Sequence, residues 1–149
     1  MSETKVCIKF FRQLIIVITI IAFFISGTAY AATLSFTPSA GSYKQNETFS
    51  VGIYVGSLDK SMNAVSGTIT FPTNKLQVVS ISKTNSIVDF WAQEPTFSNT
   101  SGTIKFEGVV LPPGFQGGNG RILILNFKGK QTGLAEVKIS SGQVLANDG

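Results

Sequence analysis

The 149 residues are 43% hydrophobic and 13% charged, and they contain no histidine; so apolar and sparsely charged a chain has to fold rather than stay disordered. Residues 32–149 hold nine basic and seven acidic side chains, scattered singly, which excludes a nucleic-acid binder, because phosphate recognition needs Lys and Arg gathered on one face. With no His and with the sole cysteine, Cys7, near the amino terminus, this part excludes Cys/His zinc centres, Ser-His-Asp and Cys-His nucleophiles, haem ligation by His or Cys, and internal disulfides.

Residues 1–13 carry Lys5, Lys9 and Arg12, residues 14–25 are apolar apart from Thr19, and Ala29 and Ala31 follow in the small-x-small arrangement of a signal-peptidase site. The apolar run is about a dozen residues, short of the ~20 that a spanning helix needs. Residues 1–31 are therefore expected to be a signal peptide cleaved after Ala31, and residues 32–149 to form one domain that is secreted or held at the cell surface. Membrane contact is expected only through this segment, were it left uncleaved.

From residue 32 onward apolar side chains recur with period two, and no stretch sustains a 3.6-residue rhythm. Leu34 and Phe36 mark a first strand that ends at Pro38. Phe49, Val51, Ile53 and Val55 alternate with Ser50, Gly52 and Tyr54, as in a strand wet on one side. The polar run Leu58-Asp59-Lys60-Ser61 reads as a loop before a third strand, with Val65, Gly67, Ile69 and Phe71 inward and Ala64, Ser66, Thr68 and Thr70 outward. Pro72-Thr73-Asn74 turns the chain into residues 76–81. Residues 85–99 are less regular, with one short strand expected near either end. In residues 103–110 Ile104 and Phe106 point in while Lys105 and Glu107 point out. Residues 112–120, with two prolines and four glycines, read as a loop, because they cannot sustain ladder hydrogen bonds. Residues 121–127 are apolar on both faces, as in a central strand; Ala135, Val137 and Ile139 alternate next, and Val144-Leu145 closes the set. About nine short strands between Gly, Pro, Asn and Ser turns imply two packed antiparallel sheets.

These residues, in this order, resemble the cohesin domain, the receptor module of cellulosome scaffolds, across almost all of residues 32–149. The resemblance is carried by Leu34-Ser35-Phe36-Thr37-Pro38 with its Gly-Ser turn and Phe-Ser-Val strand, and by Asn63-Ala64-Val65-Ser66-Gly67-Thr68-Ile69-Thr70-Phe71 resuming as Leu76-Gln77-Val78-Val79. Thr103-Ile104-Lys105-Phe106, Leu125-Asn126-Phe127-Lys128-Gly129-Lys130 and the closing Ser141-Gly142-Gln143-Val144-Leu145-Ala146-Asn147-Asp148 complete it. It implies an all-β fold, a nine-stranded antiparallel jelly-roll sandwich shared with some carbohydrate-binding modules. It also implies a non-catalytic function, the docking of a calcium-loaded dockerin-type protein module on one flat sheet face. On this chain that face is Ala64, Ser66, Thr68, Thr70, Lys105 and Glu107. Dockerin-binding members tend to carry Asn and Asp where Ala64 and Ser66 stand, and an apolar residue where Glu107 falls. Taken one at a time, the six are also what any solvated strand presents.

No enzyme is expected: glycoside hydrolysis needs two carboxylates flanking a cleft, and Glu47, Asp59, Asp89, Glu94, Glu107, Glu136 and Asp148 are unpaired along the sequence. For the same reason no metal site and no cofactor is expected, since calcium wants six to eight oxygens; Asp59 and Asn147-Asp148 are its only candidates. The alternative to protein docking is a carbohydrate-binding module on the same sandwich, taking polysaccharide on Trp91 and Phe115, since aromatic faces stack on sugar rings. A plain structural surface domain is a third reading. Asn46-Glu47-Thr48 and Asn99-Thr100-Ser101 match the N-glycosylation pattern.

Overall fold

The structure, a computed structural model, describes residues 32–146. The expected leader and its cleavage point at Ala31 lie outside the described residues, as do Asn147 and Asp148. The described residues form seven strands and no helix: β1 (Thr33–Thr37), β2 (Thr48–Thr70), β3 (Leu76–Ser82), β4 (Phe90–Ser98), β5 (Thr103–Val109), β6 (Phe115–Gly129) and β7 (Lys138–Ala146). All pairings are antiparallel.

Seven strands rather than nine is a correction with an identifiable cause. Residues 58–61, read as a loop, do not reverse the chain: β2 runs 23 residues through them, with register shifts between Val55 and Ser57 and between Ser57 and Met62. Ser57 Oγ donates to the Lys60 carbonyl at 2.7 Å, which answers local backbone polarity where the ladder is interrupted. Polar residues at this point mark a change of layer, not a turn. Likewise the glycine-rich run before Arg121 is the start of β6, paired through Gly117 and Gly120 to Ser57 and Val55. Residues 85–99 hold one strand, β4, kinked by two register shifts, and the strand expected at residues 135–139 begins only at Lys138.

Because β2 is so long, each half serves a different layer. Its first half lies between β1 and β6, and β6 pairs on with β3; its second half lies between β7 and β5, and β5 pairs on with β4. The described residues thus form two four-stranded layers, β1-β2-β6-β3 and β7-β2-β5-β4, sharing one strand. Their inner faces supply one core: Val51, Ile53, Val55, Leu123, Leu125 and Phe127 from the first layer, and Val65, Ile69, Ile104 and Phe106 from the second. Phe127, fully buried, meets Phe71 edge-on with ring centroids 5.5 Å apart and lies 5.9 Å from Phe49. Each such ring excludes enough water to contribute roughly 2–3 kcal/mol.

Local chemistry sets the ends of the strands. Gly102 turns β4 into β5 at a φ of 66°, the left-handed region where a side chain is strained, and its carbonyl accepts from the Phe71 N–H at 2.9 Å. Beside it, the Asn99 side chain accepts from the Val78 N–H at 2.7 Å and donates to the Val78 carbonyl at 2.9 Å. That clamp ties the β4–β5 turn to β3 in the opposite layer.

A flat candidate docking face

The second layer alternates cleanly because its inner side is dry and its outer side wet. Val65, Gly67 and Ile69 on β2 and Ile104, Phe106 and Gly108 on β5 are buried. The residues between them point outward. Gly67 is inward for a packing reason: a Cβ there would lie 2.7 Å from Phe106 Cζ and 2.9 Å from Cε1, so the Phe106 ring occupies the space over the β2 backbone.

Registers convert the outward residues into a grid. The first row is Leu145–Ala64–Val109–Phe90. The second is Gln143–Ser66–Glu107–Gln93, the third Ser141–Thr68–Lys105–Thr96, and the fourth Lys138–Thr70–Thr103–Ser98. All six residues expected on the face stand together on it, in the middle two columns. With ~6.7 Å between same-face residues along a strand and ~4.8 Å between strands, the grid measures roughly 20 by 14 Å.

The grid has a polarity. One end is apolar, with Phe90 61% and Leu145 48% exposed on either side of Ala64 and Val109. The middle is uncharged amide and hydroxyl apart from Glu107 and Lys105, which form no ion pair with a described residue. Small side chains on β2 (Ala64, Ser66, Thr68) leave its centre low, so a rigid element can lie across it. Reading strands singly missed Phe90, Val109 and Leu145. The alternation of residues 103–110 already places Val109 outward, but only the pairing of β4 and β7 shows that two more columns extend the surface.

Trp91 and Phe115 lie elsewhere and apart. Trp91, on β4, pairs with Gly108 of β5 and is half-buried against the core, with Lys83 Nζ 6.0 Å from its ring centroid. Phe115 pairs with Met62 and folds its ring over Gly117 and Gly120, whose Cβ positions would lie 3.0 and 2.6 Å from it. The two rings do not make a common platform. Among the described residues no three His, Cys, Asp or Glu side chains gather in one place.

The fold and this face define a two-layer β-sandwich with one flat, sparsely charged outer surface. Among solved structures that architecture is the cohesin fold. The sixth cohesin of Acetivibrio cellulolyticus scaffoldin B, crystallised with a Cel5 dockerin mutant, superposes with a TM-score of 0.59 at 18% identity, over 77% of this chain and 86% of that one. The OlpA cohesin of Clostridium thermocellum, in complex with a dockerin, gives 0.62 at 12% identity over 80% and 89%. The cohesin module of a Clostridium perfringens family 33 glycoside hydrolase gives 0.61 at 12% over 79% and 84%. No family model and no curated protein matches the sequence.

Proposed function

We propose that this protein is an exported, non-catalytic docking module that captures a dockerin-type protein partner on the outer face of β7-β2-β5-β4, in a polysaccharide-degrading or surface-assembly system. The observation that carries the reading is the grid itself: an apolar row at one end followed by rows of mostly uncharged polar side chains, presented by paired strands. Support comes from the two cohesins whose structures contain dockerins. A standard interface uses about 20–30 residues a side; the grid supplies sixteen, and exposed Leu111, two residues past Val109, extends it. Export rests on the character of residues 1–31. A polysaccharide reading through Trp91 and Phe115 is not favoured, because both rings pack on the core.

Calorimetric titration with a calcium-loaded dockerin module tests the proposal. Binding is expected for the native protein and its loss for Ser66→Arg with Thr68→Arg, at an unchanged melting temperature. Binding that survives the double substitution refutes the assignment of the face.

A further inference from the structure

The first layer has its own outer face, and its chemistry is different. Registers line up Ser35–Tyr54–Arg121, Thr37–Gly52–Ile124–Ser82, Ser50–Asn126–Ser80 and Thr48–Lys128–Gln77. No Asp or Glu occurs in these rows. Arg121 stands at one end and Lys128 at the other, about 23 Å away along β6 at ~3.3 Å per residue. Ile124, half-buried, is the large aliphatic side chain of these rows, and beside them Val79 is exposed in the β3 bulge between Val78 and Ser80.

Two details make the face more than a wet sheet. The Tyr54 ring leans over Gly52, where a Cβ would lie 2.5 Å from Cε2, so the missing side chain lets the ring settle low on the sheet. Arg121 Nε donates to Tyr54 Oη at 3.1 Å and holds the ring by its hydroxyl edge. Further along, Ser50 Oγ donates to Asn126 Oδ1 at 2.7 Å, and Asn126 Nδ2 donates to Ser80 Oγ at 2.9 Å. This ladder fixes the amide across three strands and leaves an Nδ2 proton and the Ser80 hydroxyl proton for an outside acceptor.

We infer that this face binds a carboxylate-bearing polysaccharide, a chain of uronic acid units, with Tyr54 as the stacking platform and Arg121 and Lys128 as its cationic contacts. A pyranose offers a C–H face to an aromatic ring and hydroxyls to amide and serine groups. A carboxylate on each unit suits a guanidinium fork and an ammonium in rows without acids. The span calls for a polymer rather than a monosaccharide. Two cations are too few for a nucleic acid, whose affinity grows with each neutralised phosphate. The scarcity of exposed apolar anchors is unlike the centre of a protein interface. The assignment does not depend on the docking face, which belongs to the other layer.

Affinity electrophoresis of the purified protein through gels containing polygalacturonate, against gels containing neutral hydroxyethylcellulose, tests it. Polygalacturonate is expected to retard the protein, with retardation fading as salt rises, and hydroxyethylcellulose is expected not to. Tyr54→Ala and, separately, the end-row variant Lys128→Gln are expected to weaken retardation about tenfold and severalfold respectively, while Phe90→Ala on the opposite layer leaves it unchanged. Thermal melts confirm that each variant is folded. Absence of retardation, equal retardation by both polymers, or retardation that survives both Tyr54→Ala and Lys128→Gln overturns the inference.

Discussion

Replacing Gly67 with alanine probes the layer assignment where it is most exposed to error, because Ser66 and Gly67 are sequence neighbours on opposite sides of one sheet. The added methyl would sit 2.7 Å from Phe106 Cζ and 2.9 Å from Cε1, and 3.4 Å from the Ser141 carbonyl oxygen. Real carbon–carbon contacts settle near 3.5–4.0 Å, so the ring has to retreat by most of an ångström. Phe106 is only 3% exposed and packs within the core, which leaves it little room. Overpacking of this kind costs about 1–3 kcal/mol. At ~4 °C per kcal/mol for a domain of this size, the melting temperature should fall by roughly 4–12 °C. Ser66→Ala, one residue away but outward, should stay within ~0.5 kcal/mol. Combining Gly67→Ala with Phe106→Leu, which shortens the obstructing side chain, should recover at least ~0.5 kcal/mol relative to additivity. Calorimetric melts of the four variants read all of this. An unperturbed Gly67→Ala, or a strictly additive double mutant, refutes the packing of β2 against β5.

Gly102→Ala forces a side chain into left-handed backbone and against the Phe71 carbonyl oxygen; a loss of about 2 kcal/mol or more is expected in urea unfolding. Asn99→Ala removes both bonds to Val78 and should cost about 1–3 kcal/mol, with faster amide exchange at Val78 as its local signature. Phe90→Ala, at an exposed position, should leave the melting temperature unchanged while weakening dockerin capture by roughly tenfold, as for a truncated interface anchor. Equal loss from Ser98→Ala at the far end of the grid would contradict the polarity assigned to the face.

What could be read in advance followed from water on one side of a strand. The alternations at residues 49–55, 64–71 and 103–110 report which side chains face out, while the gathering of Ala64, Ser66, Thr68, Thr70, Lys105 and Glu107 on one surface was implied only by the resemblance to cohesins. Continuity was harder to see. Leu58-Asp59-Lys60-Ser61 has turn composition, yet the chain holds its direction there, since a strand passing from one layer to another also needs polar side chains where neither core covers it. The bulges of β4 blur its alternation, which hid Phe90. The row Leu145–Ala64–Val109–Phe90 depends on pairings between residues far apart in the chain, and no local pattern encodes those. Trp91 and Phe115 looked available because large rings near prolines and glycines so often serve partners; here the glycines Gly108, Gly117 and Gly120 make room for the rings to lie down on the strands.

One continuous strand, β2, carries both Tyr54 and Ser66. A pull exerted by a protein held at Ser66 therefore reaches the Tyr54 surface through covalent backbone, along about 40 Å of extended chain, without passing through a loop. Tension of this kind shears the flanking ladders, so that their hydrogen bonds share the load instead of unzipping one by one. A tether between a moving cargo and a fixed support is where that geometry matters.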